Sequence, residues 1–307
     1  MSLLALIKGK RGPTGFGFAS TAEEVTDGID LSGKTIVITG INSGLGLESG
    51  RVLSMRGAHI IGLARTMEKA EEGCAGLAGD STPVACELSE PSSVRAAVEA
   101  IKATGKTIDV LLCNAGIMAL PDLHKSNGYE LQFFTNHIGH FILVTGLLDQ
   151  LADDGRVVIL SSAAHTMPYK EGIQFDNLSG DKEYTGFRAY GQSKLANVLF
   201  ANELARRFEG TNKTAFSVHP GGINTNLGRH MSGPSTILFP LVGWIGMKNI
   251  PQGAATQCYV TAHPDAPQHS GEYFADSNVK QKSKHGQNDE MGRKLWDVSE
   301  EIVAKLN

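Results

Sequence analysis

Several features that mark common classes of protein are missing from this sequence. Its four cysteines form no CxxC pair, and neither they nor the ten histidines have the spacing of metal ligands. We therefore expect reduced thiols, in the cytoplasm or another reducing soluble compartment, and no bound metal. Basic residues are not in excess, since the formal net charge is −4 at pH 7. That balance argues against a nucleic-acid-binding surface.

The sequence also lacks internal repeats, low-complexity tracts and a long apolar run near its start. The amino terminus carries a five-residue apolar run, Leu3–Ile7, followed by basic residues. This run is too short for a membrane span, and its basic residues lie on the wrong side for a signal peptide. We expect no membrane span here, and at most a weak contact with a membrane surface or another subunit. Thr21 and Glu24 have the spacing of a capping box and predict a short helix ending near Gly28.

From residue 34 onward, short apolar runs alternate with helical segments. Strands are predicted at residues 35–39, 59–64, 83–86, 110–113, 155–161 and 214–218, and helices at 47–56, 91–104 and 141–151. Strands that alternate with helices form a parallel sheet covered on both faces. We therefore predict an N-terminal extension, residues 1–33, and a single doubly wound α/β domain, residues 34–307.

Three glycines, Gly40, Gly44 and Gly46, lie between the first predicted strand and the helix that follows it. At such a junction, backbone N–H groups and the helix N-terminus can face a pyrophosphate, and glycine lacks the Cβ that would block its approach. An ordinary strand–helix turn is the alternative. The strand–loop–helix context is the one that a dinucleotide site requires, although the spacing is G-x-x-x-G-x-G rather than the commoner G-x-G-x-x-G.

Tyr190 and Lys194 are four residues apart in a predicted helix, so they share one of its faces. An ammonium beside a phenol stabilises the phenolate, and we expect it to lower the pKa of Tyr190. Such a pair is a general acid and base that works near neutral pH. An amphipathic helix whose tyrosine and lysine merely reach solvent is the alternative.

These features occur with others in the order and spacing of a known family. The motifs are Thr39–Gly46, Cys113–Gly116, Asn136–Gly139, Ser161–Ser162, Tyr190 with Lys194, and His219–Gly222. The chain resembles the short-chain dehydrogenase/reductase family, and more narrowly its retinol-dehydrogenase-like and TIC 32-like branch, over about residues 18–298. The resemblance implies a Rossmann-type domain and hydride transfer between a nicotinamide cofactor and an alcohol or carbonyl.

The resemblance assigns roles to four catalytic candidates. Tyr190 would give a proton to a carbonyl oxygen or take one from an alcohol, and Lys194 would lower its pKa and hold the nicotinamide ribose. Ser162 would donate a hydrogen bond to the substrate oxygen. Asn136 would lie behind Lys194 and support a proton path, although a buried asparagine that satisfies helix backbone is an alternative. His165 and His219 are expected to pack or hydrogen-bond rather than catalyse.

The cofactor-binding candidates follow the ends of the predicted strands. They are Gly40, Asn42, Ser43, Gly44, Leu45, Gly46, Arg65, Glu87, Leu88, Asn114, Ala115, Gly116, Tyr190, Lys194, Pro220, Gly221, Gly222, Ile223 and Thr225. Arg65 ends the second strand where an NAD enzyme would carry a carboxylate, and arginine suits the 2′-phosphate of NADP. We therefore predict NADP(H). Glu87 stands where the family usually has aspartate, which places its contact with adenine in question.

The resemblance leaves substrate and partners less defined. Residues 227–250 are apolar but interrupted by glycine and proline, and are interpreted either as a substrate lid or as a packing segment. A lid would favour a bulky apolar, retinal-like substrate. The helices around Phe141 and Leu195 could form the family's homodimer contact or serve the core. An NADP(H)-binding redox sensor is the alternative function. A nucleotide-sugar epimerase is disfavoured by the glycine spacing.

Overall fold

The computed structural model describes residues 9, 12–223 and 247–306. Ten strands occur in this part of the chain: β1 (Thr35–Thr39), β2 (His59–Ala64), β3 (Ser81–Ala85), β4 (Ile108–Cys113), β5 (Lys125–Ser126), β6 (Tyr129–Glu130), β7 (Leu151–Leu160), β8 (Thr214–His219), β9 (Tyr273–Ala275) and β10 (Asn278–Lys280). Eight of them form one sheet in the order β10-β9-β8-β7-β4-β1-β2-β3, and β5 and β6 form a small hairpin. All pairs in the large sheet are parallel except β9 with β10.

The helices of the described residues connect these strands. They are α1 (Ala22–Val25), α2 (Gly44–Met55), α3 (Met67–Cys74), α4 (Pro91–Lys102), α5 (131–147), α6 (Gly186–Arg207), α7 (Ile250–Ala262) and α8 (Asp289–Lys305). Helix α5 consists of Leu131–Phe133, a π-helical turn Phe134–Ile138, and Gly139–Leu147. Short 3₁₀ turns occur at Ala163–Thr166, Ala266–His269 and His285–Gln287.

Each face of the sheet has its own hydrophobic core. Along β1, Val37 packs into a core with α4, α5, α6 and α8, whereas Ile36 and Ile38 pack into a second core with α1, α2, α3 and α7. This division follows from the alternation of side chains along a strand. A parallel sheet covered on both faces confirms the predicted doubly wound α/β fold.

Most predicted elements are confirmed, and the differences lie at their ends. The strands at 35–39 and 59–64 have the predicted bounds, and the Thr21–Glu24 capping box is present with hydrogen bonds in both directions. The third strand begins two residues earlier than predicted, and the fifth begins at Leu151, where its register against β4 shifts. The elements that were not predicted are strands β5, β6, β9 and β10 and helices α3, α7 and α8.

Helix α8 covers the outer face of α5 and α6. The Trp296 ring lies 5.0 Å from that of Phe141 and 5.8 Å from that of Phe200, measured between centroids. Phe141 and Leu195 are both buried within the protomer. These two side chains therefore belong to the core.

The first described residues pack on the same side as α7. The Phe16 ring lies 5.9 Å from Tyr259 of α7, and Thr14 bonds to residues of the β9–β10 turn. Within the described residues, no helix is both long and apolar enough to cross a membrane.

Two histidines of α5 predict how stability depends on pH. Burial lowers the pKa of His137 to about 3 and that of His140 to about 4, below the ordinary 6.5. As the pH falls below 6.5, the unfolded chain binds protons at these sites and the native state does not. The free energy of unfolding should therefore fall, and these two histidines together contribute up to about 2.7 kcal/mol per pH unit to the slope. His219, whose pKa burial also lowers to about 4, adds to it. Urea unfolding at pH 7.0, 6.0 and 5.5 measures this slope.

A matched pair of variants tests the source of that slope. His137→Phe, which fits the surrounding Phe133, Phe141 and Phe200 rings, should reduce the slope by the share of one proton, about 1.4 kcal/mol per pH unit. His124→Gln, on an exposed histidine, should leave it unchanged. Equal slopes in all three proteins would contradict the assignment.

Candidate active site

The predicted site residues within the described part of the chain gather at the carboxyl edge of the sheet. They follow the ends of β1, β2, β3, β4, β7 and β8, and the catalytic candidates on α5 and α6 face the same edge. Open α/β sheets bind their ligands in the crevice at this edge. The described cofactor candidates and the catalytic candidates are thus brought to one side of the fold. Thr225 and most of the 227–250 segment lie outside the described residues.

The glycine loop has the shape of a phosphate cradle. A Cβ on Gly46 would overlap the carbonyl oxygen of Gly40 and lie 2.6 Å from Nδ2 of Asn114, so only glycine fits there. A Cβ on Gly44 would meet no protein atom within 4 Å, so this part of the loop faces open space. Ser43 caps α2 without a side-chain bond to its first turn. Backbone N–H groups there are available to an anion, and the residues fit a pyrophosphate.

The end of β4 is tied to the end of β1. The Thr39 hydroxyl accepts hydrogen bonds from the backbone N–H groups of Asn114 and Ala115, both at 2.9 Å. Asn114 Nδ2 donates to the Thr39 carbonyl at 2.8 Å, and its Oδ1 accepts from Gln257 of α7 at 3.2 Å. This lattice fixes the segment 114–116 beside the glycine loop.

Tyr190, Lys194 and Ser162 meet at the start of α6. The Lys194 ammonium lies 5.6 Å from the centroid of the Tyr190 ring and donates to the Leu160 carbonyl at 3.1 Å. The Ser162 side chain is hydrogen-bonded to Tyr190. Its neighbour Ser161 points away and donates to the Lys194 carbonyl at 2.7 Å. Tyr190 and Ser162 are therefore close enough to act on one substrate oxygen, with the Lys194 ammonium beside the tyrosine ring.

The sequence predicted a lowered pKa for Tyr190, and in the protein alone this prediction is wrong. Burial raises the pKa of Tyr190 to about 12, and the hydrogen bond with Ser162 offsets only part of that rise. Burial also lowers the pKa of Lys194 to about 8. Sequence spacing shows that the two groups are neighbours but not how far both are removed from water, which here outweighs their proximity.

Asn136 lies in the π-helical turn of α5 and is fully buried. Its Nδ2 donates to the Ile117 carbonyl and to Ser193 Oγ, both at 2.9 Å, and its Oδ1 accepts from the Ile117 N–H at 2.8 Å. A Cβ placed on Gly116 would lie 3.0 Å from Asn136 Oδ1 and 3.3 Å from Lys194 Nζ. The side chain therefore adjoins the lysine and also satisfies backbone groups, as the alternative interpretation held. π-helical turns are frequent at functional sites.

Arg65 is exposed immediately after β2, and within the described residues its side chain has no hydrogen-bond or ion-pair partner. A free guanidinium at this strand end suits a phosphate. The Glu87 carboxylate makes local hydrogen bonds. Its Oε1 accepts from the Ser89 N–H at 3.2 Å and from the Ser89 hydroxyl at 2.9 Å. Leu88 is buried.

The segment 220–223 directly follows β8 at the carboxyl edge of the sheet. Gly253 of α7 lets the Ile223 side chain pack close to Leu45 of the glycine loop. His219 Nδ1 accepts from the Ala163 N–H at 3.2 Å, and His165 contacts the Ser162 carbonyl through Nδ1 at 2.7 Å. Both histidines therefore hydrogen-bond to the backbone beside Ser162, as expected.

Sequence reasoning missed several residues that shape the site. Gln257 donates to Ser49 Oγ at 2.7 Å and so ties α7 to α2, and His140 bonds to Thr39 Oγ1 at 2.9 Å. His140 carried a signal, because it follows Asn136 by one helical turn. Gln257 carried none, since α7 itself was not predicted.

Comparison with known proteins gives consistent matches. The family model described as short chain dehydrogenase matches residues 34–176. The chain is 43% identical to short-chain dehydrogenase TIC 32 A, chloroplastic, of Brassica napus over all of both chains. It is 38% identical to human retinol dehydrogenase 14, over 90% of this chain and 88% of that protein. The crystal structure of an uncharacterized protein from Mycobacterium paratuberculosis is 31% identical, with a TM-score of 0.75 over 91% of this chain and 97% of that one.

Replacing either of two buried asparagines, Asn136 or Asn197, should lower the free energy of unfolding, but by different amounts. Asn136→Ala removes three side-chain hydrogen bonds and should lower the free energy of unfolding by about 3 kcal/mol. Asn197→Ala, on α6, removes the bond to the Leu160 carbonyl and should cost about 1 kcal/mol. Urea unfolding at pH 7 compares them. Equal losses would mean that the Asn136 network does not stabilise the site.

Proposed function

The chain belongs to the short-chain dehydrogenase/reductase family, and from that premise we propose that it is an NADP(H)-dependent oxidoreductase acting on alcohol and carbonyl groups. The observation that carries the proposal is the meeting of Tyr190, Lys194 and Ser162 beside an open glycine loop. Bound NADP(H) would supply or accept the hydride. The remaining chemistry belongs to the side chains of this protein.

Each side chain has a separate task in this proposal. Tyr190 gives its phenolic proton to the carbonyl oxygen during reduction, and takes a proton from the alcohol during oxidation. Ser162 donates a hydrogen bond to the same oxygen as negative charge develops there. Lys194 carries a positive charge close to Tyr190 and to the place of the nicotinamide ribose. Asn136 does not act on the substrate oxygen and instead positions Lys194 and Ser193.

Burial of the tyrosine bears on the direction of the reaction. With a pKa of about 12, Tyr190 holds its proton throughout the neutral range and is in the protonated form that reduction requires. Oxidation needs the phenolate and therefore a further stabilising charge. We propose that the protein is better prepared for carbonyl reduction than for alcohol oxidation at neutral pH.

The cofactor proposal rests on Arg65. Its exposed guanidinium at the end of β2 has no internal partner among the described residues, and an acidic side chain is absent from that strand end. The next acidic residue, Glu68, is in the first turn of α3. A phosphate on the adenine ribose would meet a positive charge and the N-terminus of α3.

We propose a bulky apolar carbonyl as substrate, such as a retinal-like aldehyde. The apolar composition of residues 227–247 and the 38% identity to a protein named retinol dehydrogenase 14 support this choice. A reducing compartment is also proposed, because all four cysteines are buried and unpaired. A homodimer, implied by the family, would need contacts other than Phe141 and Leu195, which are buried.

Arg65 gives a direct test of cofactor choice. Wild-type protein should bind NADPH more tightly than NADH in a fluorescence titration. Arg65→Asp should raise the Kd for NADPH about tenfold or more, because a charge-assisted contact becomes a repulsion, and should leave the Kd for NADH nearly unchanged. Arg293→Asp on α8 makes the same charge change on another exposed arginine and should affect neither. NADH binding as tight as NADPH binding would overturn the choice.

Turnover distinguishes an enzyme from a redox sensor. Wild-type protein should oxidise NADPH in the presence of some member of a panel of aldehydes, ketones and quinones of graded size, with large apolar members preferred. Tyr190→Phe should lower kcat/KM roughly 10²–10⁴-fold while NADPH binding is retained. Lys194→Ala should impair both.

The control for this series is Tyr129→Phe, which removes a phenolic hydroxyl from the small β5–β6 hairpin and should have no effect. NADPH binding without turnover of any carbonyl would favour the redox-sensing alternative. Substantial activity in Tyr190→Phe would disprove the acid–base assignment.

A further inference from the structure

Lys248 is a buried charged residue that the proposed chemistry does not use. Its side chain is 0% exposed, and its Nζ lies 2.8 Å from Oδ1 of Asp276. The same ammonium lies 5.0 Å from the centroid of the Phe18 ring. Lysine is almost never fully buried unless it is paired, because removing its charge from water is costly. The Lys248 side chain is therefore fixed in position, and the residues that it contacts indicate its role.

The backbone and stem of Lys248 contact the segment that follows β8. Its N–H donates to the Gly222 carbonyl at 2.8 Å, and it forms a parallel bridge with Ile223. Gly221 has a φ of +98°, and a Cβ there would lie 2.8 Å from Lys248 Cδ and 3.0 Å from Cε. The aliphatic stem of the lysine therefore packs directly against the Gly221 backbone. Segment 220–223 rests on Lys248 through three consecutive residues.

Asp276, the partner of Lys248, is itself held in an uncommon conformation. It and Ser277 form the turn between β9 and β10 with φ values of +54° and +60°. Non-glycine residues keep such values only where the surroundings fix them. The Ser277 N–H donates to Thr256 Oγ1 at 3.1 Å, and the Thr14 hydroxyl donates to the Ser277 carbonyl at 3.0 Å. Helix α7 and the N-terminal segment thus brace the turn.

We propose that Lys248 is a positioning residue for the nicotinamide end of the cofactor site. Asp276 fixes the ammonium, the fixed stem supports the backbone of Gly221 and Gly222, and that backbone faces the nicotinamide. Arg65, at the adenine end, follows β2, which four strands of the sheet separate from β9 and the Asp276 turn. This inference rests on the proposed function, because the resemblance to the family implies that the segment after β8, residues 220–223, meets the nicotinamide.

The test separates the two ends of the cofactor. NADPH carries a nicotinamide, whereas 2′,5′-ADP represents the adenine end alone. Lys248→Met keeps the length of the stem and removes the charge, so the stem loses its anchor while the cavity stays filled. We expect the Kd for NADPH to rise roughly tenfold and the Kd for 2′,5′-ADP to remain unchanged. Isothermal titration of both ligands measures this.

Lys34→Met is the matched control. Lys34 also pairs with an aspartate, Asp109, at 2.8 Å, but it lies before β1 at the opposite edge of the sheet. The Lys34→Met variant should change neither the Kd for NADPH nor the Kd for 2′,5′-ADP. Equal weakening of NADPH and 2′,5′-ADP by Lys248→Met, or no weakening of either, would overturn the positioning role.

A second variant keeps the test decisive if Lys248→Met does not fold. Thr14→Val preserves shape but removes the hydroxyl that braces the turn of Asp276. It should weaken NADPH about two- to threefold and leave 2′,5′-ADP binding unchanged. Unchanged NADPH affinity in this folded variant would count against the inference. Failure of the wild-type protein to bind NADPH would instead overturn the proposed function, and the inference with it.

Discussion

The site depends on one buried hydroxyl group that can be satisfied in a single way. Thr39 Oγ1 accepts from the N–H groups of Asn114 and Ala115, which occupies its two lone pairs. Its proton must then go to His140 Nε2, 2.9 Å away. His140 is therefore neutral with its proton on Nδ1, which donates to the Asn136 carbonyl at 3.0 Å. The low pKa of His140, caused by burial, agrees with a neutral ring.

This chain of hydrogen bonds joins the part of the site proposed to bind a dinucleotide to the part proposed to transfer protons. It starts at the end of β1, passes through α5, and reaches Ser193 and the surroundings of Lys194 through Asn136. Burial, rather than charge pairing, then sets the state of the reactive groups. Tyr190 and Lys194 are both shifted toward their neutral forms.

The sequence predicted the parts of the fold in which local patterns and tertiary packing agree. Strands β1 and β2 are continuous apolar runs that stop at a glycine and an arginine, and their bounds were correct. Helix α7 was missed although Asn249 and Gln252 form a capping box around Pro251. Strand β9 has three residues, which is too few for periodicity. The pKa of Tyr190 and the role of Lys248 depend on burial by distant segments, which no local pattern reveals.

The two edge strands of the large sheet are poor templates for pairing with another molecule. At one edge, β3 places Pro83 opposite Gly62, and proline has no N–H with which to extend a ladder. At the other edge, β10 has three residues and ends with the exposed Lys280. Neither edge offers a neighbouring chain a long row of unpaired backbone groups. Sheet-to-sheet growth into fibres is thereby discouraged even though the interior strands are strongly apolar.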